Sequence, residues 1–412
     1  MDTQQIQSLW ANTQTSLAGF QKDQSETCRK EALAQITKLQ RALEQPKDAI
    51  LKLSYQPMVF MALKVAHDMK VFPVLANATA PVSVKQLAAA KPANPLLVER
   101  IMRLLVSFDI VEEPEPSAYL PTAIAKEMVN RPAIGTMESL FCEFLPILQK
   151  TPEYLAATNY QNPEDPMRAP LQYTHNVEID GFSWLCEHPA ALTRFNDFME
   201  GQRANRVHWG DWFPVQERIL AGADSNPERA LVVDIGGGRG HDLMLFQKRF
   251  PDAPGKLVLE DLPSVIDEAA SDLNACGIQG VKYDFFKEAN PVKGARVYYF
   301  KFVFHDWSDE KARVLLGHVV DAMEAGYSKL VIEEYILPDR NAEFLHGTTD
   351  MAVMIFCSGL ERTRQQWKSL LESVGLQPTF WTRENDGLGV IESVLPVANG
   401  TNGTNGTNGA AH

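Results

Sequence analysis

Leu231-Val232-Val233-Asp234-Ile235-Gly236-Gly237-Gly238-Arg239-Gly240 is the stretch that decides the fold. An apolar run of strand length ends in an acid, then passes into a glycine cluster that opens a helical segment, His241 to Arg249. Glycines at such a junction let a ligand approach backbone amides at a helix amino terminus. A GxGxxG dinucleotide fingerprint starting at Gly236 needs a third glycine where His241 stands, and a P-loop lysine is absent. The acid argues against pyrophosphate, because the Asp234 carboxylate repels phosphate oxygens but accepts hydrogen bonds from an ammonium.

Downstream, apolar runs alternate with helical stretches. Leu231 to Ile235, Lys256 to Glu260, Val281 to Tyr283, Arg296 to Phe300 and Lys329 to Glu333 read as strands. Between them His241 to Arg249, Pro263 to Asn274, Asp309 to Ala325 and Gln366 to Ser373 read as helices. This alternation predicts a Rossmann-like α/β domain with a mostly parallel sheet, its strands buried on both faces. Thr379 to Thr382 and Gly389 to Val394 flank Asn385, Asp386 and Gly387, so an antiparallel hairpin closes the domain.

The strand ends carry the ligand chemistry. After the second strand Glu260 and Asp261 can hold two ribose hydroxyls, and after the third Asp284 and Phe285 can grip an adenine by its amino group and its face. An amino acid at Asp234, Gly236 and Gly238, a ribose and an adenine together make S-adenosylmethionine. The fourth strand runs into Lys301-Phe302-Val303-Phe304-His305-Asp306-Trp307-Ser308-Asp309-Glu310, which puts His305 at the carboxyl edge where open α/β folds bind ligands. Glu334 ends the next strand and Glu361 lies in Gly359-Leu360-Glu361-Arg362-Thr363. An imidazole with two carboxylates is a general base with orienting partners, suited to removing a hydroxyl proton during methyl transfer. Ser308 or Asp309 is placed to cap the next helix; Glu333 and Asp309 read as solvated or capping groups, and Arg362 as a loop anchor.

Before Ala230 the chain is mainly helical. Residues 1 to 50 fit one or two amphipathic helices, Met58 to Leu75 an apolar helix that Pro73 ends, and Val84 to Ala90 a short helix with Ser83 and Gln86 at capping-box spacing. Pro95 to Phe108 places Leu97, Ile101, Leu104, Leu105 and Phe108 on one side, and Ile110 to Tyr119 reads as a hairpin with Pro114 and Pro116 at its tip. Three helices and a hairpin are the winged-helix plan, which raises DNA binding. Between Tyr55 and Asn130, however, seven basic residues balance seven acidic ones, so no cationic surface is available for phosphate. A packing or dimerisation module is the better reading.

Composition agrees. The 412 residues are 45% hydrophobic and 22% charged, ordinary for a globular chain, and the formal charge of -13 disfavours nucleic acid and acidic membranes. Five scattered cysteines without CxxC spacing read as buried thiols in a reducing compartment, with no metal site. No apolar run reaches the ~20 residues needed to span a bilayer. The polar amino terminus does not read as a signal peptide, so a cytoplasmic location is expected. The Asn-Gly-Thr repeat near the carboxyl terminus is too polar to pack, and its sequons are expected to stay idle.

DIGGGRG at Asp234 to Gly240, LEDLP at Leu259 to Pro263, KFVFHDWSDE at Lys301 to Glu310, EEYILPD at Glu333 to Asp339 and GLERT at Gly359 to Thr363 occur in order. Together they resemble the plant-type and fungal small-molecule O-methyltransferases, the caffeic acid and flavonoid enzyme family. The resemblance implies catalysis by His305, Glu334 and Glu361 with Asp306 beside the substrate, and a cofactor set of Gly236, Asp261, Asp284, Phe285 and Lys301. Phe285 departs from the methionine common in plant members. The resemblance also implies a homodimer. The expected organisation is a winged-helix-like dimerisation domain over 1–130, a helical connector contributing to the substrate pocket over 131–222, a Rossmann-like catalytic domain over 223–396 and a disordered tail over 397–412.

Phe182, Trp184, Met199, Met351, Met354 and Phe356 are candidates for an apolar slot holding a flat ring, or are plain core. Arg203, Arg206 and His208 either face the same cavity or are exposed helix residues. Two enzyme readings follow: O-methylation of a phenol or enol on an aromatic or polyketide-type molecule, and a dehydration or pericyclic reaction that keeps the sulfonium for electrostatic stabilisation. The intact histidine and carboxylates favour methylation.

Overall fold

A computed structural model of the chain describes residues 3–204, 206–383 and 387–397. It forms two compact units, Met1–Asn162 with Met167–Arg206, and Pro163–Pro166 with Val207 onward. The expected connector is thus shared out: most of it joins the first unit, while 163–166 and everything from 207 join the second. Asn385 and Asp386 of the expected turn, the side chain of Arg203 and the tail from 398 lie outside the described residues.

The first unit begins with helices α1 (Thr3–Lys22), α2 (Glu26–Leu43), α3 (Pro46–Asp68) and α4 (Val71–Ala76). The expected Met58 to Leu75 helix is therefore two. Lys70 takes a left-handed conformation (φ 61°) that breaks the chain between α3 and α4. Pro73 then sits in the first turn of α4, where a missing amide costs nothing. Strand β1 (Val82–Ser83) leads into α5 (Val84–Ala90), where the capping box is formed: the Gln86 amide donates to Ser83 Oγ and the Ser83 amide to Gln86 Oε1. Helix α6 (Pro95–Val106) buries Val98, Ile101, Met102 and Leu105, whereas Leu97, expected inside, is exposed. Strands β2 (Val111–Glu115) and β3 (Ala118–Pro121) form the wing in the order β1-β3-β2, with Pro114 inside β2 and only Pro116 and Ser117 at the tip. Helices α7 (Ala123–Glu127), α8 (Arg131–Ser139), α9 (Leu145–Ala157), α10 (Pro170–His175), α11 (Gly181–Glu187) and α12 (Pro189–Ala204) complete the unit, and a π-helical turn, Leu140–Phe144, joins α8 to α9.

In the second unit β4 (Ala230–Ile235), β5 (Lys256–Asp261), β6 (Gln279–Lys282), β7 (Val297–Lys301) and β8 (Lys329–Tyr335) are parallel, and β9 (Gln377–Thr382) and β10 (Leu388–Val394) close the sheet in the order β6-β5-β4-β7-β8-β10-β9. β10 runs antiparallel to both neighbours. Alternate residues serve opposite faces. Val233, Tyr298, Leu330 and Ile332 pack under α15 (Asp309–Val320) and α17 (Arg364–Glu372). Val232, Tyr299 and Val331 pack under α13 (His241–Arg249) and α14 (Pro263–Cys276). Helix α16 (Phe344–Cys357) is one that the sequence pattern does not predict. The hairpin is pinned by charge: Glu392, 1% exposed, accepts from Arg218 Nε at 2.8 Å and from Lys329.

Of the cysteines, all free, only Cys357 is buried; Cys186 is exposed and the rest are half-buried, contrary to expectation. Among the described residues no helix is long and apolar enough to cross a membrane. Trp209 keys the segment before β4 onto the sheet, stacking on Phe246 and Tyr299 at centroid distances of 5.6 and 5.2 Å. Trp209→Ala should lower stability by about 3–5 kcal/mol, as truncations of buried aromatic side chains do; urea unfolding of the full chain measures it.

Candidate active site

The glycine loop turns at the carboxyl end of β4. A Cβ on Gly237 would collide with Asp234 Oδ2, so only glycine lets the loop fold over that buried carboxylate. Around Gly238 no described atom lies within 4 Å of the Cβ position, which leaves open space over the loop. The Gly238 amide donates to Asp261 Oδ2 at 2.8 Å, bringing the acid that ends β5 against the loop. Burial raises the Asp261 pKa against the pull of the Gly238 and Leu262 amides. Glu260, its neighbour, points the other way. It is fully buried, accepts from Asn290 Nδ2 at 2.6 Å and is pushed by burial to about 7, so it is an interior group rather than the second ribose ligand expected.

Asp284 is engaged locally: burial is outweighed by Lys287 and by the Phe286 amide, which hold its carboxyl below the usual range. Phe285 lies beside it, edge-on to Phe286 at 4.8 Å. Lys301 ends β7 with Nζ 2.7 Å from Asp242 Oδ1 and 3.4 Å from Glu333 Oε2. Glu333, expected in solvent, has no exposed surface and also accepts from the Tyr299 hydroxyl.

His305 occupies a short 3₁₀ turn after β7, its side chain 14% exposed. Nδ1 lies 2.8 Å from Glu361 Oε1, and Nε2 lies 3.6 Å from Asp306 Oδ1. Burial alone would lower the imidazole pKa, but Asp306, Glu361 and Glu334 push it up to about 10. Burial raises Asp306 to about 6 and Glu334 to about 7. Of the two expected orienting carboxylates, Glu361 is the one that hydrogen-bonds the ring. Glu334, expected to help fix the tautomer, instead accepts the Val303 and Phe304 amides at 3.0 and 2.7 Å and so holds the loop that carries His305.

Three further groups shape the site. Arg362, with no exposed surface, donates to the Phe304 and Trp307 carbonyls at 2.9 and 2.8 Å and to Asp309 at 2.9 Å, anchoring the loop on both sides of the histidine. Asp309 thus serves Arg362, and Ser308 stands at the helix N-cap position without a side-chain bond. Phe302 adopts φ 51°, a strained conformation for a bulky residue, and sets its ring 5.4 Å from that of His305. Cys357 Sγ lies 3.7 Å from Asp306 Oδ1. The sequence signals none of these three in these roles except the anchoring arginine, beside Glu361.

The expected substrate residues fall in both units. Met351 (46% exposed), Met354 and the buried Phe356 lie on α16 of the second unit, together with the catalytic candidates. Phe182, Trp184 and Met199 belong to the first. Trp184 is buried and stacks with His175 and His188 at centroid distances of 4.7 and 4.2 Å. His208 is buried, with Nδ1 accepting the Gly210 amide, so it does not face solvent. Arg206 reaches Gln202.

The O-methyltransferase domain family matches residues 192–377, and the O-methyltransferase dimerisation domain matches 51–131. The O-methyltransferase penC of Penicillium thymicola is 36% identical over 376 residues, 90% of this chain and 93% of that protein. The chain belongs to the O-methyltransferase family. Demethylsterigmatocystin 6-O-methyltransferase of Aspergillus parasiticus is 31% identical over 83% of this chain and 86% of its own. Among solved structures, LepI in complex with SAM covers 94% of this chain and 99% of its own, and a pericyclic reaction enzyme covers 95% and 100%. Each has a TM-score of 0.83 at 26% identity.

Asp261→Ala should weaken binding of S-adenosylhomocysteine by ~1–3 kcal/mol through lost charge-assisted hydrogen bonds. Titration calorimetry reads it directly, and an unchanged dissociation constant would remove Asp261 from the ribose site.

Proposed function

We propose that the chain is an S-adenosylmethionine-dependent O-methyltransferase acting on a phenol or enol hydroxyl of an aromatic or polyketide-type small molecule, with His305 as general base. The observation that carries this reading is the His305–Glu361 hydrogen bond on the same sheet edge as the glycine loop. The relatives named above as O-methyltransferases support it. Asp234, Gly236, Gly238 and Asp261 fit the cofactor: a loop folded over a buried carboxylate, open space above Gly238 and a second carboxylate at the next strand end. Asp284, Phe285 and Lys301 complete the set on the family resemblance. Bound there, S-adenosylmethionine supplies an electrophilic methyl group.

The chain's own part is proton transfer and orientation. With Nδ1–H donated to Glu361, Nε2 is the atom that takes the hydroxyl proton as the oxygen becomes a nucleophile. Glu361 stabilises the imidazolium formed, Glu334 and Arg362 hold the loop, and Asp306 faces Nε2 where a substrate hydroxyl would lie. The chain works as a homodimer, a reading supported by the match to the dimerisation domain.

One observation favours a second reading. Carboxylates at both ring nitrogens stabilise protonated His305, which suits a general acid in a dehydration or pericyclic reaction, and the similarity to a pericyclic reaction enzyme points the same way. The pH dependence separates the two by its sign. A base of pKa about 10 is mostly protonated at pH 7, so methyl transfer should quicken roughly tenfold per pH unit between pH 7 and 9. An acid of the same pKa gives a rate that is flat there and falls above it.

His305→Ala should abolish turnover and leave S-adenosylhomocysteine affinity within about twofold; loss of both would make the histidine structural. In product analysis by mass spectrometry, a gain of one methyl with S-adenosylhomocysteine formed supports methylation, whereas an isomer or a dehydrated product with intact cofactor overturns it.

A further inference from the structure

The glycine loop opens α13, and the face of the sheet under that helix holds a buried carboxylate, Glu333, to which the proposed reaction gives no part. Parallel pairing sets Asp234 level with Tyr299 and Lys301 level with Glu333. Asp234 stands two residues after Val232, Lys301 two after Tyr299 and Glu333 two after Val331, so all three turn to the face those residues share. Glu334, one residue further, turns to the other side and serves the loop that carries His305. Asp242 joins them from the first turn of α13. Lys301 Nζ lies between two of these acids, 2.7 Å from Asp242 Oδ1 and 3.4 Å from Glu333 Oε2. The Tyr299 hydroxyl donates to Glu333; burial first, then the charges of Glu333, Asp242 and Asp234, raise its pKa well above the usual phenol value, so the three carboxylates surround one point.

The count is three carboxylates to one ammonium, so Lys301 is already claimed from two sides and does not stand as a lone cation. Neighbouring bases do not restore neutrality. His208 Nε2 lies 3.8 Å from Asp242 Oδ1, but burial lowers that imidazole to about 4 and leaves it uncharged at pH 7. Arg249 is held by Asp211 at 2.5 and 2.7 Å. Glu333 has no exposed surface, and its Oε1 is buried without a hydrogen-bond partner among the described residues. A carboxylate only half satisfied in a water-poor site is stabilised strongly by a cation brought near it. We infer that Glu333 and Asp242 make the pocket select its ligand by charge, holding the sulfonium of S-adenosylmethionine in preference to the uncharged thioether of S-adenosylhomocysteine. The two ligands share amino acid, ribose and adenine and differ by one methyl group and one positive charge. A pocket with excess negative charge therefore discriminates between them, and it loosens on the neutral product once the methyl group has gone. The inference rests on the cofactor reading above, and it holds for either reaction that the cofactor serves.

Titration calorimetry of the full chain with each ligand tests this without any turnover. The wild type should bind S-adenosylmethionine more tightly than S-adenosylhomocysteine. Glu333→Gln, which keeps the shape and removes the charge, should cut that preference about tenfold, chiefly by weakening S-adenosylmethionine. Asp242→Asn should move the ratio of the two dissociation constants in the same direction, and it reports the same field should the glutamine variant fail to fold. Equal weakening of both ligands would mean that the acids merely hold Lys301 in place, and it overturns the inference, as does a ratio that stays fixed or shifts the other way. A wild type that binds both ligands equally well also overturns it while sparing the cofactor reading. A wild type that binds neither overturns that reading itself, and the inference with it.

Discussion

The candidate site depends on one close approach. Gly359 passes so near the loop after β7 that a Cβ there would collide with the His305 carbonyl oxygen, and the Leu360 amide next to it donates to that same oxygen at 2.8 Å. Two loops distant in sequence are thereby stitched together through backbone. Glu361 is then delivered to the imidazole and Arg362 to the carbonyls on either side of it. A larger residue at 359 would part the loops, and the hydrogen bond that orients the histidine would go with them. Hydrogen-bond geometry tolerates only a few tenths of an ångström before it weakens.

The surrounding electrostatics follow from burial. Asp306 and Glu334 are buried beside one imidazole, so ionising both is expensive, and the charge on the histidine offsets part of that cost. Because Asp306 and Glu334 each feel the charge of the imidazole, the proton inventory of these three groups matters more than the state of any one of them. This sharing is what keeps both acid and base chemistry within reach of the same side chains.

The sequence carries the sheet well because its signals are local. The apolar run Leu231 to Ile235 ends at its observed boundary, His241 to Arg249 is the observed helix, and Ser83 with Gln86 forms the expected cap. Signals that depend on three-dimensional context are less legible. Helix α16 mixes Gly347, Thr348 and Thr349 with apolar residues and lacks a clean stripe, so its periodicity is hidden. Glu333 and Glu334 alternate across β8, but both faces of that strand are covered, and no local pattern distinguishes a buried acid from a solvated one. The bonding of Glu334 to the Val303 and Phe304 amides, rather than to the ring, depends on how two strand ends meet. Trp184 is legible as an aromatic; its stacking with two histidines, one of them at the end of another helix, is not.

The Glu392 pin bears on the topology of the second unit. Arg218 lies before the first strand of the sheet and Glu392 in the last one, so their contact closes the domain's beginning onto its end. A fold whose extremities already meet does not need its chain to start where it does. Joining those ends with a short linker and opening the backbone in an exposed turn elsewhere should yield a circular permutant with the same sheet.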